Sequence, residues 1–171
     1  MSRKIWQGLI VMVGLMTGLS GAHAQSVRFP ASGDPAFSFT LGDGWSSAPD
    51  EYGNMRLGSA DKSAFVQLSM ISDASAVGRS PSELAAGILS AAKAAPYSST
   101  APAQIGGVAG QAFFSSMSVP GMQLPVKIVI LRLDATHFAS VGIVERPDIT
   151  PAATASLNAE LARIRVTGVG G

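Results

Sequence analysis

His137 is the sole histidine beyond residue 24, and Asp134 stands three residues before it. An Asp–His pair is two-thirds of a hydrolytic triad, which also needs a serine whose proton the imidazole can take. The chain has no Gly-x-Ser-x-Gly elbow to present that serine. Asp134-Ala135-Thr136 also separates two β-branched-rich runs, where an aspartate is expected as a turn former. The pair therefore reads as a turn acid followed by a strand-end histidine. A hydrolase using His137 is kept only as a third reading, behind two binding readings.

Metal ligands are as sparse. With one histidine and no cysteine, zinc would need several carboxylates, and no His-x-x-x-His spacing exists. Asp43, Asp50, Glu51 and Asp61 fall in neighbouring loops and are the oxygen ligands that calcium takes. Loop acids ordinarily just face solvent. Met117 and Met122 are soft ligands of the kind Cu(I) prefers, but two thioethers are too few and core packing accounts for them. Gly106-Gly107-Val108-Ala109-Gly110 lacks the Lys-Ser/Thr of a phosphate loop and precedes a strand, so it reads as a hairpin turn. No cofactor or metal is expected. Trp45, directly after the Gly42-Asp43-Gly44 turn, either plugs the end of a sheet or lines a ligand site. Together with Tyr52, Arg56 and the loop residues Pro120, Gly121 and Met122 it makes a candidate recognition surface.

The elements that position these residues follow from periodicity. Val126 to Leu133 and His137 to Val144 read as an antiparallel hairpin. In its first strand both alternate sets are apolar: Val126, Ile128, Ile130 and Val129, Leu131, Leu133. That strand should be covered on both faces, by helices or by another subunit. Residues 36–41, 54–59, 64–71, 104–108 and 111–118 are five further strand candidates. Ser80-Pro81-Ser82-Glu83 is a capping box opening a helix with Leu84, Ile88, Leu89 and Ala92 on one stripe. Thr150-Pro151 opens a last helix, with Leu157, Leu161 and Ile164 at helical spacing. Three strands, a helix, four strands and a helix predict an α+β fold. Its antiparallel sheet of about six or seven strands would be flanked by the two helices.

Residues 1–24 read as a secretory signal peptide: Arg3 and Lys4, an apolar run from Ile5 to Leu19, then Ala22-His23-Ala24. Cleavage between Ala24 and Gln25 leaves residues 25–171 as one domain, periplasmic or secreted if the source is bacterial. The apolar run is shorter than the ~20 residues of a spanning helix, so no membrane span is expected after cleavage. Arg3 and Lys4 belong to the leader, and what remains carries ten basic against eleven acidic residues. No basic patch suggests nucleic acid.

Several landmarks occur together. Gly42-Asp43-Gly44-Trp45 follows the first strand, Ser80-Pro81-Ser82-Glu83-Leu84 opens a helix, and Ile105-Gly106-Gly107 with Gly110 precedes an aromatic strand, a hairpin and a closing helix. In these features the chain resembles the PsbP-like domains, a family including the bacterial envelope protein DcrB and the Ran-binding Mog proteins. The family usually has Pro-x-Gly-Trp where this chain has Gly42-Asp43-Gly44-Trp45. The resemblance implies an α/β/α sandwich and a largely non-enzymatic role. The first expectation is thus a binding or assembly module acting on an envelope protein partner. The alternative is a carrier of a small apolar ligand, with a pocket between helix and sheet near Trp45. A homodimer is compatible with either.

Overall fold

The computed structural model describes residues 26–72 and 78–168; the proposed cleavage site at Ala24 and Gln25 lies outside them. Ten strands and two helices follow in chain order. They are β1 (Ser26–Phe29), β2 (Ala36–Thr40), β3 (Trp45–Pro49), β4 (Met55–Ser59), β5 (Ala64–Ile71), α1 (Pro81–Ala91), β6 (Ser99–Ile105), β7 (Val108–Val119), β8 (Met122–Arg132), β9 (Phe138–Glu145), α2 (Pro151–Arg163) and β10 (Arg165–Thr167).

β3 to β9 form one antiparallel sheet in the order β3-β4-β5-β9-β8-β7-β6. β8 is an interior strand between β9 and β7, which is why both its alternate sets are apolar. Val126, Ile128 and Ile130 join Phe113, Phe138 and Ile71 in a core under α1. Val129 and Leu131 join Val66, Leu68, Val141 and Ile143 in the core on the other face. There the cover is α2, through Leu157, together with a second sheet of order β1-β2-β10, through Phe37 and Phe39. The expected α+β sandwich is present, and the chain itself covers both faces of β8.

The second sheet and two edge strands depart from the sequence reading. Residues 36–41 were expected in the main sheet, but β2 sits at the centre of the smaller one. Its partners β1 and β10 come from a small-residue lead-in and from the chain after the last helix. β3 and β6 are the edge strands; β3 was not among the strand candidates, and only Gln104 and Ile105 of β6 fall within the expected strand 104–108. An edge strand with one neighbour needs no apolar alternation, so periodicity does not reveal it.

Both helix starts match expectation. The Ser80 side chain accepts from the Glu83 backbone N–H, and Glu83 reaches back to the Ser80 backbone N–H, 2.8 Å away. The Thr150 side chain accepts from the backbone of Ala153. Leu84, Ala85, Ile88 and Leu89 form the buried face of α1. In α2 the buried residues are Leu157 and, unexpectedly, Glu160.

Candidate functional site

The Gly42–Trp45 turn is stitched to α2. The Trp45 backbone N–H donates to the Gly42 carbonyl at 3.1 Å. The indole packs into the core shared by Leu57 and Leu157, and its Nε1 donates to Ser156 Oγ at 3.0 Å. Trp45 is a structural plug. Glu160 lies fully buried, and its Oε2 accepts from the Gly42 N–H and from Arg163 Nη1, both at 3.0 Å. A Cβ at position 42 would fall 2.5 Å from Arg163 Nη1, the end of a half-exposed side chain, so a larger residue there displaces the guanidinium. Beside this corner lies an open cavity of about 170 Å³, lined by Gly44, Ser59, Asp61, Ser63, Ala153 and Ser156. Its walls are built of small side chains, Ala60 among them, and it is open to solvent.

Asp50 organises the β3–β4 turn. Its Oδ1 accepts from the backbone N–H of Tyr52 (2.9 Å) and Asn54 (2.8 Å), and its Oδ2 from Asn54 Nδ2 (2.9 Å). Arg56 Nε lies 3.2 Å from Oδ2, with both side chains nearly inaccessible to solvent. Buried ion pairs of this kind hold local geometry when their remaining atoms are hydrogen-bonded. Asp50 and Arg56 are therefore internal, whereas Glu51 is exposed and Tyr52 half-buried.

Asp134 behaves in the same way in the β8–β9 turn. Its Oδ1 accepts from the backbone N–H groups of Thr136 and His137, each at 2.7 Å, and its Oδ2 lies 2.7 Å from His137 Nδ1. The Thr136 N–H is the leading cause that holds the Asp134 carboxyl down at about 2, with the His137 contacts adding to it. Both oxygens are committed to the turn. The four loop acids do not converge: Asp43 and Asp61 lie at the Trp45 end of the sheet, Asp50 and Glu51 at the other. Among the described residues no three His, Cys, Asp or Glu side chains gather in the manner of a metal site.

The six residues of the expected recognition surface separate. Trp45 and Arg56 are buried, and Tyr52 belongs to the end of the sheet opposite Pro120, Gly121 and Met122. Those three are exposed at the tip of the β7–β8 hairpin. The register shows that this hairpin outruns its neighbours. β6 pairs with β7 only as far as Phe114, and β9 with β8 only as far as Val126. Ser115–Val119 and Met122–Pro125 therefore have only each other as strand partners. The Ala95 N–H donates to the Ser116 carbonyl at 2.8 Å and braces the base of the projection. Phe114 (38% exposed) and Met122 (41%) are the large hydrophobic side chains left in solvent among the described residues, and both belong to this hairpin.

Two features escaped sequence reasoning. The first is an open groove of about 430 Å³ between α2 and the β6–β7 turn. Gln104 and Ile105 of β6, Lys127 of β8, Asn158 and Leu161 of α2 and the Gly106–Gly107 turn line it. No local pattern announces a groove whose walls are far apart in the chain. The second is a row of polar side chains on the α1-facing side of the sheet. Ser69 and Ser140 stand opposite each other, and Gln67 stands opposite Gly142. Gln67, Ser69 and Ser140 are fully buried, yet their side-chain atoms have no hydrogen-bond partner among the described residues. Their interruption of apolar alternation in two strands was the available signal.

No family model and no curated protein matches the sequence. Solved structures do match in three dimensions. One is the cyanobacterial PsbP, CyanoP, of Synechocystis, at 9% identity and a TM-score of 0.55, over 90% of this chain and 98% of that one. A protein of Bacteroides thetaiotaomicron matches at 11% identity and a TM-score of 0.53, over 79% of this chain but 46% of its own length. LpqN, involved in cell envelope biogenesis of Mycobacterium tuberculosis, reaches 17% identity and a TM-score of 0.48, over 85% of this chain and 92% of that one. At these identities the likeness concerns the path of the backbone. The α+β sandwich agrees with it, and the chain has a PsbP-like fold.

Proposed function

We propose that the chain is an exported, non-enzymatic binding or assembly module that acts through protein contacts outside the cytoplasm. The observation that carries this reading is the projecting β7–β8 hairpin. It is a two-stranded extension beyond its strand neighbours, braced at Ser116 by Ala95 and packed through Met117 and Leu124 under α1, with an exposed tip at Pro120-Gly121-Met122 and, among the described residues, both exposed large hydrophobic side chains. Exposed apolar groups on a rigid projection favour a macromolecular partner. The export half of the proposal rests on the leader pattern of residues 1–24. A non-catalytic role for His137 rests on the absence of a Gly-x-Ser-x-Gly nucleophile elbow from the sequence.

Native mass spectrometry of the protein released gently from its own envelope fraction tests the proposal. The expected result is a mature mass beginning at Gln25, accompanied by a protein companion. A photo-crosslinking residue at Met122 should link to that companion, and one at exposed Ala152 on α2 should not. A mass with a bound small apolar molecule and no companion would overturn this reading in favour of a ligand carrier. Retention of residues 1–24 would sink the export half.

A further inference from the structure

We propose that the groove between α2 and the β6–β7 turn receives a carboxylate from the partner protein, presented on a segment with an aliphatic neighbour. This rests on the protein-binding reading and specifies what the partner brings. Lys127 is the central observation. It is half-buried on the groove wall and forms no ion pair among the described residues. A partly desolvated ammonium favours an anion beside it, while its alkyl stem rests on apolar surface. No Asp or Glu lines the groove, so the charge is not answered from within.

The rest of the lining has matching chemistry. In register, Lys127 stands between Phe114 on β7 and Ile143 on β9, so the exposed phenyl ring is its immediate cross-strand neighbour. Asn158, exposed on α2, has an amide that can donate to a carboxylate beside the ammonium. Gln104 donates to the Gly107 carbonyl at 3.2 Å and so stiffens the turn. Ile105 and Leu161 offer aliphatic contact. The β6–β7 turn is held close against β10, because a Cβ at Gly106 would lie 2.6 Å from the Val166 nitrogen.

Two observations favour a protein segment over a carried small molecule. The groove is open, whereas small-ligand pockets bury roughly 70–90% of their ligand. Its Lys127 wall also adjoins the base of the projecting hairpin, since the neighbouring Val126 makes the last β8–β9 pair and Phe114 is the last residue of β7 flanked by β6, while the Gly106–Gly107 turn lies toward the other end of the sheet. Backbone strand addition at the β6 edge is hindered by Pro102, which has no N–H to offer. Side chains over the face are left to carry recognition.

The test is an NMR titration of the exported, ¹⁵N-labelled protein with two capped peptides, N-acetyl-leucyl-glutamyl-leucinamide and its glutaminyl counterpart. The amide signals of Gly106, Gly107 and Asn158 should shift with the glutamyl peptide, at millimolar affinity. The glutaminyl peptide should bind about fivefold more weakly, as should the glutamyl peptide to Lys127→Gln, while Lys127→Arg retains binding. Equal response to both peptides, or no shift at about 10 mM, would overturn the proposal. So would N-acetyl-leucine binding as tightly as the tripeptide, which would make the ligand a small carboxylate. If the peptides fail while Met122 still crosslinks to its companion, the groove proposal falls and the binding-module reading stands.

Discussion

Replacing Ser69 and Ser140 together by alanine should stabilise the protein. The two residues are register partners on β5 and β9, each fully buried, and neither hydroxyl has a hydrogen-bond partner among the described residues. Ile71, Phe138 and Ile130 surround them on the same face. A buried hydroxyl without a partner costs about 1–3 kcal/mol, and removing one oxygen leaves only a small void. Taking the low end for each site gives a gain of about 2 kcal/mol for the pair. Because the two sites touch, the double variant need not equal the sum of the singles. For a chain of this size the gain corresponds to a rise in Tm of about 5 °C. Urea unfolding followed by Trp45 fluorescence, with a thermal melt by circular dichroism, measures it directly. Gln67→Met extends the series, since both polar atoms of that amide are also without partners. A loss of about 1 kcal/mol or more in the double variant would refute the reasoning. It would mean that water or a ligand bonds these hydroxyls in solution, as buried polar groups generally require.

Three further perturbations test the turns. Asp134 has its carboxyl lowered to about 2 in the fold from an ordinary 3.8, chiefly by the Thr136 N–H. A depressed carboxyl stabilises the fold above the unfolded value, and that contribution is lost as pH falls from about 4 to about 2. Asp134→Asn should therefore flatten the acid limb of the urea midpoint against pH, and an unchanged limb would exclude the turn as its source. Trp45→Phe keeps most of the core packing but loses the bond to Ser156 Oγ, at a cost of about 1 kcal/mol. Ser156→Ala should cost a similar amount if that bond is the cause. Gly106→Ala should cost about 2 kcal/mol, because position 106 combines a φ of +61° with a 2.6 Å approach to the Val166 nitrogen. Gly107→Ala, at φ +88° with open space around it, should cost less. Equal losses in melts of the two variants would remove the close-contact argument.

What could be read from the sequence was whatever repeats at short range. β8 announced its interior position because Val126, Ile128 and Ile130 on one face and Val129 and Leu131 on the other all had to be covered, and α1 announced its start through Ser80 and Glu83. Asp134 and the Gly106–Gly107 turn were legible for the same reason: a turn is local chemistry. Burial of charged and polar groups was not. Arg56 has the composition of a surface residue, and it is internal only because Asp50, held by Asn54 and Tyr52, meets it across the β3–β4 turn. Glu160 is internal because Gly42, 118 residues earlier, donates to it. The expected recognition surface joined Trp45, Tyr52 and Arg56 to the Pro120–Met122 loop because loops on a rigid scaffold commonly carry function. The register instead places Tyr52 and Met122 at opposite ends of the sheet. The features that bear on partner choice are long-range in the same way. The hairpin projects because β6 and β9 stop short of it, which is a property of its neighbours' lengths. Lys127 carries an unanswered charge because of what three other elements fail to bring near it. A site built from mismatched strand lengths leaves no motif, so the experiments above address the arm and the groove before any single residue type.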